Sequence, residues 1–366
     1  LSTGFQRILA LPLYGIGDVL MTTPALRNIT ERLGSKITCL HMFASTKAVL
    51  DGNPHITENI HFPFLSASKL AGVRFLLGLR GRFDASINFY PSNRKDYNLA
   101  AFLAGAPLRI GHRYREHDLL EMNFLKNRTI REDDGLHNVE EDLRLLGLLG
   151  IEEPEPYPLE VYLDEKEREE AAAWLRERRL ASSYLIGFHP GSSLFKAHAM
   201  KRWPEEKYAR LVRLLAKQSG DCRFLLFGGP EEDALKDSLR AATGLPEKVF
   251  PVTTAGIRQS AALMQRCRLF ITNDSGLMHL AAALQVPTVA LFGPTNPRWL
   301  RPWKCRSRVL RHESCPSCFR YSPTPQQCTE GGNFACIREV GVEEVLEAAL
   351  SLAGEELTEE ARSSGL

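Results

Sequence analysis

Long hydrophobic runs are missing from this sequence: no stretch approaches the roughly 18 consecutive apolar residues of a membrane-spanning helix. Excess charge of either sign is missing too, because 46 Lys+Arg against 44 Asp+Glu leave a net +2. That balance argues against a nucleic-acid binder and leaves room for a local basic patch. A secretory leader is not indicated either. Residues 8–16 have the apolar character of one, but Asp18 follows at once and no small-residue cleavage site comes after it, so a buried strand is expected. Without an export signal the expected setting is a reducing cytoplasm, and the eight cysteines are to be explained without assuming disulfides. The dinucleotide fingerprint is also incomplete. Leu20 stands where G-x-G-x-x-G, begun by Gly15 and Gly17, requires its third glycine, which disfavours a nicotinamide dehydrogenase.

What is present is an ordinary globular composition, 44% apolar and 25% charged, over 366 residues, a length beyond what one core usually serves. Short apolar runs alternate with amphipathic stretches in both halves. Strands are expected at 7–12, 36–41, 85–89, 184–189, 223–227, 269–272 and 288–292. Helices are expected at 19–32, 165–179, 205–218, 231–242, 277–284 and 342–352. Apolar strands joined by helices imply parallel sheets covered on both faces. Pro154, Pro156 and Pro158 crowd the stretch 151–164 and mark a joint between an N-terminal domain, residues 1–164, and a C-terminal domain, residues 165–366. The final helix is left free to pack back on the first domain. The fold class expected is α/β: two Rossmann-like, doubly wound domains facing each other across a cleft, with ligands outside the carboxyl ends of the strands.

The loops at those strand ends carry the chemistry. The first reads Tyr14-Gly15-Ile16-Gly17-Asp18-Val19-Leu20. Its glycines permit close backbone approach to a ligand, and Asp18 serves either as a helix N-cap or as a general base for a hydroxyl nucleophile. In the second half, His189-Pro190-Gly191-Ser192-Ser193 exposes amides and hydroxyls suited to phosphate oxygens. Lys201-Arg202 adds positive charge, although a solvated basic turn has the same pattern. Phe227-Gly228-Gly229-Pro230-Glu231-Glu232 offers carboxylates for capping or for a ribose diol. The densest signal is Asn273-Asp274-Ser275-Gly276, leading into Leu277-Met278-His279-Leu280 and three alanines. A helix N-terminus there attracts an anion, and His279 points at the ligand or into the core.

Taken in order, three stretches resemble glycosyltransferase family 9, the ADP-heptose:lipopolysaccharide heptosyltransferase family. They are Ile16-Gly17-Asp18-Val19-Leu20 with Thr22-Thr23-Pro24-Ala25-Leu26; His189-Pro190-Gly191-Ser192-Ser193 with Lys201-Arg202-Trp203-Pro204; and residues 273–284 followed by Pro287 and 290–295. The matches fall within residues 8–345. The resemblance implies a GT-B fold, acceptor mainly on the first domain and nucleotide sugar mainly on the second. It implies an enzyme moving L-glycero-D-manno-heptose from ADP-heptose to the inner core of lipopolysaccharide, with inversion and no required metal or other cofactor. Asp18 matches the catalytic base, Lys201 the diphosphate-facing lysine, and Glu232 the ribose-binding carboxylate, with Glu231 and Asp233 as alternatives in the same turn. Gly17, Gly191, Ser192, Ser193, Asp274, Ser275, Gly276 and His279 become donor-binding positions. A different nucleotide sugar or surface-glycan acceptor within the same family is the alternative reading.

An acceptor bearing Kdo carboxylates and lipid A phosphates calls for cations. Between Lys69 and Arg115 lie nine Lys/Arg against Asp84 and Asp96. Arg94, Lys95 and Arg113 are the expected acceptor-binding residues, solvated helix faces being the bland alternative. The same patch suits peripheral contact with an anionic inner membrane. Pro91-Ser92-Asn93-Arg94 and the alanines after it lean towards the second-heptose type. Finally Cys315, Cys318, Cys328 and Cys336, spaced C-x₂-C-x₉-C-x₇-C, are candidate ligands of a structural zinc, with free thiols or a disulfide as alternatives.

Overall fold

The computed structural model describes residues 4–192, 200–313, 315–319, 328, 329 and 331–354. The chain divides into two compact units, Leu1–Tyr162 and Leu163–Leu366. The second unit begins with Asp164 as the N-cap of the helix Glu165–Glu177. Its side chain accepts from the Glu167 amide at 2.8 Å while Glu167 accepts from the Asp164 amide at 2.9 Å, a reciprocal cap that starts the helix sharply.

Unit 1 holds six parallel strands: β1 (Arg7–Ala10), β2 (Lys36–His41), β3 (Glu58–His61), β4 (Ala85–Ile87), β5 (Leu108–Arg113) and β6 (Arg128–Arg131), in the order β3-β2-β1-β4-β5-β6. Unit 2 repeats the topology with β7 (Tyr184–His189), β8 (Cys222–Leu226), β9 (Val249–Pro251), β10 (Leu269–Asn273), β11 (Thr288–Leu291) and β12 (Ser307–Leu310), in the order β12-β11-β10-β7-β8-β9. The central strands β7, β10 and β11 are buried along their whole length, because helices cover both faces of a parallel sheet. The edge strands β3, β6 and β12 are partly exposed and polar, which is why apolar periodicity passes over them. β9 ends in Pro251, a residue tolerated at a sheet edge.

Two helix expectations change. The helix expected at 19–32 is two helices, Ile16–Met21 and Thr23–Leu33. Pro24 has no amide to offer the Leu20 carbonyl, and the Thr23 hydroxyl takes that carbonyl at 2.7 Å while the Thr22 hydroxyl takes the Val19 carbonyl at 2.8 Å. The final helix, Val342–Ala353, places Val342, Val345, Ala349 and Leu352 in the core of unit 2. There the buried Trp203 indole donates to the Val340 carbonyl at 3.0 Å.

Close packing limits the centre of that sheet. A Cβ on Gly187, in mid-β7, would come within 2.5 Å of the Phe270 ring, which packs edge-on against Phe227 with ring centres 5.5 Å apart. Histidines are sealed inside as well. Burial pulls both His41 and His279 from 6.5 down to about 4.

Two outcomes are expected. Gly187→Val lowers the denaturant midpoint of unfolding by the equivalent of about 1–3 kcal/mol, and an unchanged midpoint would show that the aromatic pair yields freely. As pH falls from 6.5 towards about 4, the unfolded chain takes up protons at His41 and His279 that the folded chain refuses, so stability drops across that window. Melting curves across this range are expected to slope less steeply for His279→Gln than for the natural chain.

Candidate active site

In a doubly wound sheet the crevice for a ligand opens where the strand order reverses, since crossovers on the two sides leave in opposite directions. These points are β1/β4 in unit 1 and β7/β10 in unit 2.

In unit 2 the loops after β7, β8 and β10 converge on two buried carboxylates. Asp274, one residue past β10, accepts from Lys201 Nζ at 2.6 Å, and both side chains are nearly closed to solvent. Burial alone would push the Asp274 carboxyl up, but the Lys201 ammonium overrides it and holds the group below the usual range. Lys201 also lies 4.6 Å from the centre of the Phe319 ring. Glu232, in the turn after β8, takes His189 Nε2 at 3.0 Å and Arg202 Nη2 at 3.3 Å. Here too burial raises the carboxyl, and His189, Arg202 and the Gly229 amide outweigh it, leaving a net lowering. The glycines of these turns are required by that carboxylate: a Cβ on Gly191 would sit 1.8 Å from Glu232 Oε1 and one on Gly228 2.6 Å from Oε2.

The helix Gly276–Ala283 starts at this cluster with Ser275 as N-cap, yet Ser275 makes no side-chain capping bond. Its hydroxyl lies 2.9 Å from His189 Nδ1 instead, so Ser275 does not close the amide end of the helix. Asn273 ties the loops together. Its amide donates to the Pro190 and Gly191 carbonyls at 2.9 and 3.0 Å, and its oxygen accepts from the Trp203 amide and the Tyr208 hydroxyl, both at 3.0 Å. Arg202 fixes Ser192 through its hydroxyl and carbonyl at 3.2 and 2.9 Å. Lys236, buried, donates to the Val252 carbonyl at 2.9 Å and pairs with Asp233 at 2.8 Å.

In unit 1, Asp18 is the third residue of the helix Ile16–Met21 and half-buried, while Gly15 is the N-cap. The N-cap reading of Asp18 therefore gives way to a carboxylate in the first turn, where the helix dipole favours negative charge. The loop after β4 is held to it by Tyr14, whose buried hydroxyl donates to the Phe89 carbonyl at 2.5 Å. That loop also meets the one after β5, with the Ser92 amide donating to the Tyr114 hydroxyl at 2.6 Å and Asn93 Nδ2 to the Glu116 carbonyl at 2.9 Å. Arg94 and Lys95 begin the helix Lys95–Ala104 at this point. Arg113 differs from them: it is paired with Asp118, so its charge is satisfied within its own loop.

The structure thus brings Lys201, Arg202, Gly191, Ser192, Glu232, Asp274, Ser275 and Gly276 together in unit 2. His279 lies in the same helix, buried, with Nδ1 lacking a partner among the described residues. Gly17 is buried beside Asp18 in unit 1, and Ser193 lies outside the described residues. Two contributors were not singled out from sequence. Asn273 is one, at the end of β10. Asp142, in the helix Asn138–Leu145, is fully buried and accepts from the Tyr90 amide at 2.6 Å. Burial pushes its carboxyl well above the usual range, with repulsion from Glu141 and Asp18 adding to it. The readable signal was an acid at 142 on the apolar stripe of Val139, Leu143 and Leu146.

Of the four clustered cysteines, Cys315 and Cys336 are buried and Cys318 and Cys328 partly exposed. Burial, helped by the neighbouring Cys315, pushes the Cys336 thiol up to about 11. Among the described residues no group of three or more His, Cys, Asp or Glu side chains is arranged to hold a metal ion, so the expected zinc finds no support here.

The model of glycosyltransferase family 9 (heptosyltransferase) matches residues 79–328. Lipopolysaccharide heptosyltransferase 2 of Salmonella typhimurium is 28% identical over 364 residues, covering 96% of this chain and 99% of that one. Among solved structures, the glycosyl transferase family 9 protein of Veillonella parvula superposes with a TM-score of 0.77 at 25% identity, covering 96% of this chain and 98% of that one. The ADP-heptose lps heptosyltransferase II of E. coli gives 0.74 at 25% identity, covering 96% and 99%. Two doubly wound α/β units of GT-B type, each with polar side chains gathered at its switch point, agree with these matches, and the chain belongs to glycosyltransferase family 9, the heptosyltransferases.

Proposed function

We propose that the chain transfers L-glycero-D-manno-heptose from ADP-heptose to the inner core of lipopolysaccharide, inverting the anomeric carbon, and that its acceptor already bears a first heptose. The observation that carries the reading is the buried Lys201 ammonium, fixed in place by Asp274, beside the N-terminus of the helix Gly276–Ala283 at the β7/β10 switch point, oriented donors of the kind a leaving diphosphate needs. Family membership supports the reaction class, and the name heptosyltransferase 2 borne by a relative matched along nearly its whole length supports the choice of acceptor.

In this reading the Asp18 carboxylate takes the proton of the acceptor hydroxyl as its oxygen bonds to the anomeric carbon. The bond from that carbon to the diphosphate oxygen breaks, and its electron pair leaves with ADP. General-base assistance is worth about 10²–10⁴-fold, roughly 3–5 kcal/mol of barrier. Charge growing on ADP meets Lys201, Arg202 and the amides at Gly191, Ser192 and Gly276. Glu232, already oriented by His189 and Arg202, accepts from the ribose diol. Arg94 and Lys95 meet the acidic acceptor in unit 1. Because that acceptor is lipid-anchored, the chain works peripherally at the cytoplasmic face of the inner membrane.

With ADP-heptose and truncated lipopolysaccharides, mass analysis is expected to show one heptose added to the acceptor that carries one and none to the acceptor that lacks it. Asp18→Asn is expected to cut turnover about 10²–10⁴-fold with ADP affinity unchanged by calorimetry; full turnover would remove Asp18 from the chemistry. Lys201→Met weakens ADP binding about 10–100-fold and also strands Asp274 at a cost of about 3–5 kcal/mol. The double variant K201M/D274N is expected to regain most of that stability without regaining ADP affinity. Normal affinity in the double variant would separate Lys201 from the donor.

A further inference from the structure

The nine large apolar side chains left exposed among the described residues all lie between Leu65 and Phe124, in unit 1. Leu70, Val73 and Leu77 form one stripe of the helix Lys69–Leu77. Leu99 and Phe102 repeat the spacing on the helix Lys95–Ala104. Leu119, Leu120 and Phe124 come from the loop beyond β5, the first two 71% and 73% exposed. The elements that carry them adjoin one another. The helix Lys95–Ala104 packs against both the first helix and the turn Asn123–Leu125. Arg80 Nε donates to the Leu103 carbonyl at 3.1 Å on one side and Asn98 Nδ2 to the Glu121 carbonyl at 2.6 Å on the other.

Exposed cations outnumber the exposed acids of the same span, Asp96 and Glu116. Lys69, Arg74, Arg80 and Lys95 are exposed, and none is ion-paired among the described residues. The helix Lys69–Leu77 contains no acid, and the Arg109 guanidinium lies 5.6 Å over the Phe102 ring. Arg74 and Arg82 line a shallow depression floored by Phe75 and Leu79. Leucine stripes framed by unpaired Lys and Arg match an anionic lipid surface; protein-binding hot spots favour Trp and Tyr, which this face does not expose. No helix among the described residues is long and apolar enough to cross a membrane, so the contact is with the surface.

We propose that this face of unit 1 seats on an anionic bilayer, its leucines entering the acyl boundary and its lysines and arginines meeting phosphodiester headgroups. The inference rests on the lipid-anchored acceptor proposed above only for why a membrane is at hand; the side chains carry the surface.

Flotation of the full chain with phosphatidylcholine vesicles containing about 30% phosphatidylglycerol tests it, against phosphatidylcholine alone. Partitioning is expected to be at least about 10-fold stronger on the anionic vesicles and to weaken with salt. L70S/L119S/L120S and, separately, K69E/R74E are expected to lose about 10-fold or more of it while turnover on a delipidated, water-soluble acceptor stays at the natural rate. Equal binding to neutral vesicles, or undiminished binding by either variant, overturns the proposal. So does a dimer in sedimentation that the leucine variant abolishes. Turnover absent on the soluble acceptor with vesicle binding intact would instead count against the reaction and leave the surface standing.

Discussion

A parallel strand reaches its neighbour only through a crossover, and where successive crossovers depart in opposite directions two adjacent strand ends stay uncovered. That constraint organises both units. The order β3-β2-β1-β4-β5-β6 and its repeat in β12-β11-β10-β7-β8-β9 place the open ends at β1/β4 and β7/β10. Asp18 follows the first of these strands, the Asn88–Arg94 loop follows the second, Gly191 and Ser192 follow β7, and Asp274 follows β10. Residues far apart in the chain become neighbours because the sheet topology leaves them one kind of place to gather.

Within unit 2 the gathered charges explain the small residues around them. Two carboxylates are withdrawn from water, and each is matched: Asp274 by Lys201, Glu232 by His189 and Arg202. Removing Lys201 would leave the buried Asp274 carboxylate uncompensated, which is far more costly than the net worth of the pair. The matched Glu232 then forbids a side chain at Gly191 and Gly228, so the glycines of the phosphate-type turns answer to a protein carboxylate before any ligand arrives. His189 also draws the Ser275 hydroxyl away from the cap it would ordinarily make, and the helix behind it keeps its positive end available.

Unit 1 divides its labour differently. Its interior beside Asp18 is polar and sealed, with Asp142 and Tyr14 holding the Tyr90 amide and the Phe89 carbonyl of the β4 loop. Its outer face, on the helices Lys69–Leu77 and Lys95–Ala104, is instead apolar and cationic. The basic block, nine Lys/Arg against two Asp, is thus not uniform: Arg82, Arg113 and Arg115 are paired with acids, whereas Lys69, Arg74, Arg80 and Lys95 stand beside exposed leucines.

The amino-acid sequence alone determined the alternation of buried strands and covering helices and the turns between them, because burial on both faces writes itself as apolar runs and turns write themselves as glycine and proline. It did not disclose the polar edge strands β3, β6 and β12, whose stability comes from a neighbour's hydrogen bonds more than from their own side chains. It left Asp18 undecided between cap and base. The helix start at Gly15 settled the first option, since a cap is a matter of backbone angles that a residue name does not contain. Only the tertiary structure decided which charges meet. Lys201 and Asp274 are 73 residues apart and His189 and Glu232 are 43 apart, and a contact across such distances exists only once the strands between have taken their order.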